Sequence, residues 1–303
     1  QQIDSLTKLD ITVHRFYCGS GASLVDLVRN LPHMIRIIRK FKPDILHAQY
    51  GSMTAFEGLL GKLLFRRTRL IVSFCGSDLM GHNKKNGKIS FRSRIGIFVG
   101  KIVAYFANGI IVKSRGLYEL IPYRCRGKTE IIPNGVNLEL FRPIDYRSAR
   151  RDLGISEQKK IVLFNEGNNP YCKGYDLAKK AIEINDGNIR LLTIGNVPFD
   201  KMPLYLSAAD VLLVVSRHEG SPNIVKEALA CNLPIVSVDC GDVQERINGV
   251  WPSFLVSRDP QDISECITKV ININQRSNGR EKIKSLSIEN VALKINQLYC
   301  KIL

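Results

Sequence analysis

Residues 217–234 read RHEGSPNIVKEALACNLP, with two carboxylates, Glu219 and Glu227, eight positions apart around a Ser-Pro-Asn. A carboxylate accepts two hydrogen bonds at once, so adjacent hydroxyls on a ribose or another sugar ring are natural partners. Between the acids, Gly220 leads into Ser221, which is expected to cap a helix, with Pro222 at the first helical position, where its missing N–H costs nothing. Asn223 and Ile224 follow in the first turn, and their N–H groups have no partner within the helix. Free amides and the positive end of the helix dipole suit an anion, best a phosphate. The helix is expected to run to about Cys231, with Asn232 left-handed at its end and Pro234 opening a strand. Such a site fits a ligand with phosphate in the middle and hydroxyls at both ends, which is the layout of a nucleotide sugar.

The acids must be positioned by a strand on one side and a helix on the other. Short apolar runs alternate with amphipathic stretches along most of the 303 residues, the pattern of βα units on parallel sheets. In the first half, strands are expected at 10–16, 44–49, 69–75, 109–114 and 129–135, with helices around 24–41 and 52–65. Pro32 is expected to end or kink the first of these helices. In the second half, strands are expected at 160–166, 189–195, 210–216 and 234–240. The run PNGVNLELFRP (133–143), with two prolines and an Asn-Gly turn, reads as a linker. The fold class is therefore α/β, with two doubly wound parallel-sheet domains facing a cleft and ligands beyond the carboxyl ends of the strands. The segment 287–303 reads as a helix whose broad apolar face needs something to pack on.

Composition narrows the class. No run approaches the ~20 apolar residues of a membrane-spanning helix, so a soluble cytoplasmic protein is expected. The eight cysteines contain no C-x-x-C pair and no zinc-like spacing. The net charge of +16 is one-sided. Residues 1–150 hold 25 Lys+Arg against 10 Asp+Glu (+15), and residues 151–303 hold 19 against 18 (+1). The excess is densest from Lys62 to Lys101, where Asp78 is the single acid. Such a field attracts polyanions. The basic region lacks a nucleic-acid motif and interleaved aromatics, so nucleic acid is not the expected partner.

The stretch HEGSPNIVKEALACNLPIVSVDCGDVQE resembles the donor-binding segment of glycosyltransferase family 4, the large retaining nucleotide-sugar family with the two-domain GT-B fold. The segments PDILHAQYG, IIPNGVNLELFRP and LYLSAADVLLVVSRHEG are similar to that family too, and the resemblance extends over nearly the whole chain. It implies an acceptor-side domain at 1–140, a nucleotide-sugar donor domain at 141–286 and a C-terminal helix at 287–303 that crosses back to the first domain. It further implies that the family's first strand and glycine-rich loop precede Gln1.

By this resemblance, Glu219 lies by the donor sugar, Glu227 binds the nucleotide ribose, and the amides of Ser221 to Ile224 hold the diphosphate. In the loop NEGNNPYCKG, Lys173 matches the family's diphosphate lysine, while Asn168 stands where the family usually has arginine. Gly195, Asn196 and Val197 are expected around the base. Cys75 occupies the place of a histidine near the donor sugar; Asp78 and His47 are the remaining candidates on the acceptor side. The implied activity is transfer from a nucleotide diphosphate sugar, with UDP as the expected nucleotide. The acceptor is a glycan, lipid-linked, in bacterial cell-surface polysaccharide or lipopolysaccharide synthesis. Neither a metal nor a cofactor is implied, and the basic first half is expected to meet an anionic membrane surface at the inner face of the cytoplasmic membrane. A nucleotide-sugar epimerase on the same fold and a non-catalytic homologue are the competing readings.

Overall fold

A computed structural model of the chain describes residues 2–17, 24–81, 89–167, 169–185, 187 and 189–303, and for residues 24 and 25 the backbone only. Asn168, and Lys84, Lys85 and Lys88 of the basic stretch, lie outside the described residues. The chain divides into two compact units, Gln1–Pro133 with Val291–Leu303, and Asn134–Asn290.

The first unit is built on four parallel strands, β1 (Ile45–Gln49), β2 (Arg69–Phe74), β3 (Gly109–Val112) and β4 (Thr129–Ile131), in the order β1-β2-β3-β4. Five of its helices are α1 (Gln2–Thr7), α2 (Leu24–Phe41), α3 (Met53–Leu64), α4 (Ser77–Met80) and α5 (Phe91–Phe106). Leu70, Val72, Phe74, Ile110 and Val112 of the sheet are fully buried with Ala55 and Leu59 of α3 and Val103 and Ala104 of α5. Each large side chain so buried contributes roughly 1.5–3 kcal/mol. The C-terminal helix, Ile288–Ile302, buries Val291, Ala292, Ile295, Leu298 and Tyr299, which accounts for its broad apolar face. From Val291 onward it belongs to this unit.

Two local expectations are corrected here. Residues 11–17 form no strand. Their rings pack on α2 instead, His14 stacked on Phe41 at 3.5 Å and Phe16 against His33 at 5.5 Å between centroids, and the segment joins no ladder. The helix α2 does not end at Pro32 but runs through it, because the buried positions Leu27, Met34 and Ile38 keep one apolar face on both sides of the proline.

The second unit is a five-stranded parallel sheet, β5 (Lys160–Asn165), β6 (Ile189–Ile194), β7 (Val211–Val214), β8 (Ile235–Val238) and β9 (Phe254–Val256), in the order β6-β5-β7-β8-β9. The short β9 was not expected: Phe254-Leu255-Val256 is too brief to show a pattern. Strands β7 and β8 are buried along their whole length, as unbroken apolar runs in a parallel sheet should be. The starts of β5 and β7 are tied together by Asp210, whose Oδ2 accepts from the Ile161 N–H at 2.6 Å and pairs with the fully buried Arg150 at 2.8 Å. After β5 the chain adds β6 on one side, then returns to add β7 on the other. The order reverses between β5 and β7, and the carboxyl ends of those strands flank the crevice where ligands of open α/β sheets bind.

Among the described residues, no helix is long and apolar enough to cross a membrane, and no group of His, Cys, Asp and Glu could hold a metal ion.

Candidate active site

The loop leaving β5 and the loop leaving β7 bring Lys173 and Glu219 together at this reversal. Asn169 caps the short helix Pro170–Lys173 by accepting from the Cys172 N–H, and the helix ends on Gly174 at φ +79°. A Cβ at Gly174 would lie 2.3 Å from the Val215 carbonyl oxygen, so only glycine lets this turn approach β7 so closely. The two loops are fastened further by a hydrogen bond from the Arg217 N–H to the Cys172 carbonyl at 2.8 Å and by the Arg217 guanidinium lying over the Tyr171 ring. Lys173 Nζ then donates to Glu219 Oε1 at 2.5 Å, and the Ser216 hydroxyl donates to the same oxygen at 3.0 Å. The pair closes a cavity whose lining includes Phe164, Asn165 and Ile224, with room for about one water.

The helix after Glu219 runs from Asn223 to Ala230, with Pro222 rather than Ser221 at its N-cap. The Ser221 hydroxyl is used elsewhere, donating to Asp242 Oδ2 at 2.9 Å and accepting from Lys226 Nζ at 2.8 Å. Asp242 also pairs with Arg246 at 3.0 Å. The helix start is therefore one residue later than its sequence pattern implied, and Gly220 and Pro222 are buried beneath it. The first-turn amides of Asn223, Ile224 and Val225 have no partner within the helix and form its positive end. Asn232 adopts the left-handed conformation expected of it, at φ +55°.

Glu227 lies in the second turn, half-buried, and burial raises its carboxyl to about 7, partly opposed by the Lys226 ammonium. A carboxyl so placed is poised to accept hydroxyl donors that would restore its lost solvation. Gly195 and Asn196 are exposed and Val197 half-buried just beyond β6. A Cβ at Gly195 would approach Glu166 Oε1 to 3.1 Å, which puts this loop beside the loop leaving β5. Asn168 lies outside the described residues.

The first-unit candidates have other tasks. Asp78 is 2% exposed, and its carboxylate accepts from the N–H groups of Gly51 (2.7 Å), Cys75 (3.0 Å) and Gly76 (2.8 Å). It clamps the loops after β1 and β2 instead of facing outward. Both ring nitrogens of His47 are engaged, Nδ1 with the Tyr299 hydroxyl at 2.6 Å and Nε2 with Ser73 Oγ at 2.8 Å. Burial, with the Lys113 ammonium, lowers its pKa to about 3, so the ring stays neutral. Burial pushes the Cys75 thiol up to about 11, which leaves it a thiol.

Sequence reasoning missed Ser216, which shares Glu219, and Arg258, whose guanidinium donates to the carbonyls of Val215 and Ser216 at 3.0 Å and braces the loop leaving β7. Neither carries a local signal, since both act on a loop that only the folded sheet brings near. Lys226 and Asp242, both buried, were missed as well.

Residues 5–140 match the model of Glycosyltransferase Family 4, and residues 156–272 match that of Glycosyl transferases group 1. An uncharacterised glycosyltransferase of Methanocaldococcus jannaschii is 23% identical over 90% of this chain and 84% of its own length. TuaC of Bacillus subtilis, a glycosyltransferase named for teichuronic acid biosynthesis, is 23% identical over 76% of this chain, which spans 62% of that relative's length. The fold is similar to that of sucrose-phosphate synthase from Thermosynechococcus elongatus (TM-score 0.76, 20% identity, 92% of this chain and 78% of that one). It is also similar to Anabaena Alr3699/HepE, solved in complex with UDP-glucose (TM-score 0.76, 17% identity, 99% and 88%). These neighbours are GT-B glycosyltransferases, and this chain has their fold. The chain thus carries a Glycosyltransferase Family 4 domain in its first half and a Glycosyl transferases group 1 domain in its second.

Proposed function

We propose that this glycosyltransferase moves a sugar, with retention of anomeric configuration, from a UDP-sugar to a lipid-linked glycan acceptor in cell-surface polysaccharide synthesis. The observation that carries the reading is the convergence of Lys173, Glu219 and the amide end of the Asn223–Ala230 helix on the strand-order reversal. A diphosphate at that end would meet one ammonium and the first-turn amides, and the charge growing on the leaving phosphate would be stabilised by both. Glu219 would then position the donor sugar and Glu227 the ribose hydroxyls. The relative solved with UDP-glucose supports the choice of nucleotide. Retention follows a front-face route, in which the leaving phosphate helps to deprotonate the incoming hydroxyl.

Lys173 and the helix amides supply positive charge at the diphosphate, so the reading includes no metal ion. The first unit takes the acceptor, and the +15 excess of residues 1–150 draws the protein to an anionic membrane surface. The test is product analysis with UDP-, GDP- and ADP-sugars and a lipid-linked glycan acceptor, with and without chelator. A new α-linked product from an α-linked UDP-sugar, undiminished by chelator, is expected. Epimerised donor without a new glycosidic bond overturns the reading.

A further inference from the structure

The first unit has a surface that the donor chemistry does not use. Helix α5 is capped by Ser90, whose Oγ accepts from the Ser93 N–H, and it buries Gly100, Val103 and Ala104 against the unit's core. Its opposite face exposes Phe91 (79%), Ile95 (46%), Phe98 (66%), Ile102 (36%), Tyr105 (51%) and Phe106 (53%). At 3.6 residues per turn, these six side chains share an arc of about 100°. Single exposed apolar residues are ordinary, but a contiguous stripe along a whole helix marks an interaction surface. Arg92, Arg94 and Lys101 are exposed on the flanks of the stripe.

The foot of α5 is basic. Lys62 Nζ donates to the Phe106 carbonyl, and Lys128 Nζ to those of Tyr105 (2.8 Å) and Ala107 (2.6 Å). Beside them opens a pocket of about 320 Å³ whose lining includes Arg69, Lys128, Glu130 and Lys301. Glu130 pairs with Lys301 at 3.3 Å, which leaves the charges of Arg69 and Lys128 without an acid in the lining. Burial lowers the pKa of Lys62, and the charges of Lys128 and Arg69 lower it further, so the cluster is short of anions. Arg69 opens β2 and Asn108, also in the lining, precedes β3. The pocket thus lies at the amino edge of the sheet, opposite the carboxyl edge where ligands of such sheets bind.

We propose that the α5 stripe and the Arg69–Lys128–Lys301 pocket together dock an anionic phospholipid bilayer, the aromatic side chains entering the acyl boundary while the pocket takes one phosphate headgroup. The proposal rests on the reading above that the basic unit meets a membrane, and it names the element that does so. A second copy of this chain is the poorer occupant. A self-complementary contact would bring the flanking arginines and the pocket's cations against their own copies, whereas an anionic bilayer complements them. Apolar burial flanked by basic residues is also how interfacial helices bind.

The experiment is co-sedimentation of the full chain with phosphatidylcholine vesicles and with phosphatidylcholine–phosphatidylglycerol vesicles. It compares wild type, Phe91→Asp/Phe98→Asp and Arg69→Gln/Lys301→Gln, with UDP-induced thermal shift as a check that each variant is folded. Wild type should bind the mixed vesicles and not the neutral ones. The stripe variant should lose at least tenfold in partitioning, and the pocket variant about fivefold per charge removed. Wild-type binding with both variants unchanged overturns this proposal alone. Wild type binding neither vesicle overturns it together with the membrane part of the proposed function, while the UDP shift reports separately on the donor site. A wild-type dimer that the stripe variant abolishes, with vesicle binding unaltered, assigns the stripe to self-association and also overturns the proposal.

Discussion

Lys173 and Glu219, 46 positions apart in the chain, meet at 2.5 Å in a pair whose side chains are only 27% and 16% exposed. The ammonium assigned to the diphosphate is thus held by the carboxylate assigned to the donor sugar. A ligand must divide this pair, and the two partners should respond to mutation in opposite ways. In Glu219→Gln the lysine is released from its competitor. UDP binding should be as tight as in wild type or tighter, while turnover falls ~100-fold or more, the cost of losing an electrostatic contact to the reacting centre. In Lys173→Ala the charge-assisted contact itself is lost, and UDP binding should weaken by about 1.5–3 kcal/mol. Isothermal titration with UDP beside steady-state turnover separates the two. Turnover intact in Glu219→Gln would refute the assignment.

Glu227 makes the site sensitive to pH. Its folded-state value of about 7 lies above the ordinary 4.5, so between these values the unfolded chain gives up a proton that the folded chain keeps. Stability therefore falls as pH rises from 4.5 to about 7, by a ceiling of about 3 kcal/mol. Glu227→Gln should remove that slope, raising Tm by a few degrees at pH 8 and leaving it unchanged at pH 4.5. Ribose hydroxyls favour the ionised carboxylate, so UDP affinity in wild type should climb as pH passes 7, and in Glu227→Gln it should stay flat and weak. Thermal melts and UDP titrations across that range check both.

Much of the second unit was legible in the sequence because β5, β7 and β8 are buried on both faces and announce themselves as unbroken apolar runs. The E-x7-E spacing around Ser-Pro-Asn was legible for the same reason: strand, turn and helix start are contiguous there. What the sequence hid is what only folding brings together. Ser221 has the right residue type for a cap, yet its hydroxyl serves a buried Asp242 and Lys226 that lie 21 and five positions away. Residues 10–16 have a strand's alternation but no neighbouring strand with which to form a ladder, and pattern alone cannot supply one. Family resemblance points Asp78 and His47 outward, but Asp78 lies in α4 and His47 in the middle of β1, and their hydrogen-bonding capacity is used within their own unit.

Gly174 offers a test of how the donor loop is placed. Its φ of +79° and the 2.3 Å approach of a Cβ to the Val215 carbonyl oxygen leave no room for a side chain. In Gly174→Ala the left-handed conformation costs roughly 1–2 kcal/mol, and the clash with backbone adds to it. The turn should withdraw from β7 and carry Lys173 with it. A lower melting temperature by circular dichroism, together with loss of UDP affinity at least as large as in Lys173→Ala, is expected. Unchanged affinity would mean that Lys173 reaches its ligand independently of this turn.

Asp78 provides the corresponding test in the first unit, where the expectation of a substrate-facing acid gives way to a structural one. Three backbone N–H groups from two loops converge on its buried carboxylate. Removing it strands those donors away from water, and buried donors without partners cost about 1–3 kcal/mol each before relaxation or a rescuing water lowers the sum. Asp78→Ala should therefore destabilise the first unit by about 3 kcal/mol. Asp78→Asn keeps one accepting oxygen but turns an NH₂ toward the other donors, and it should lose nearly as much. If Asp78 were instead a group that touches substrate, both variants would melt like wild type and fail only in turnover. Denaturant unfolding paired with turnover on the same preparations distinguishes the outcomes, and retained stability with lost activity would reverse the structural assignment.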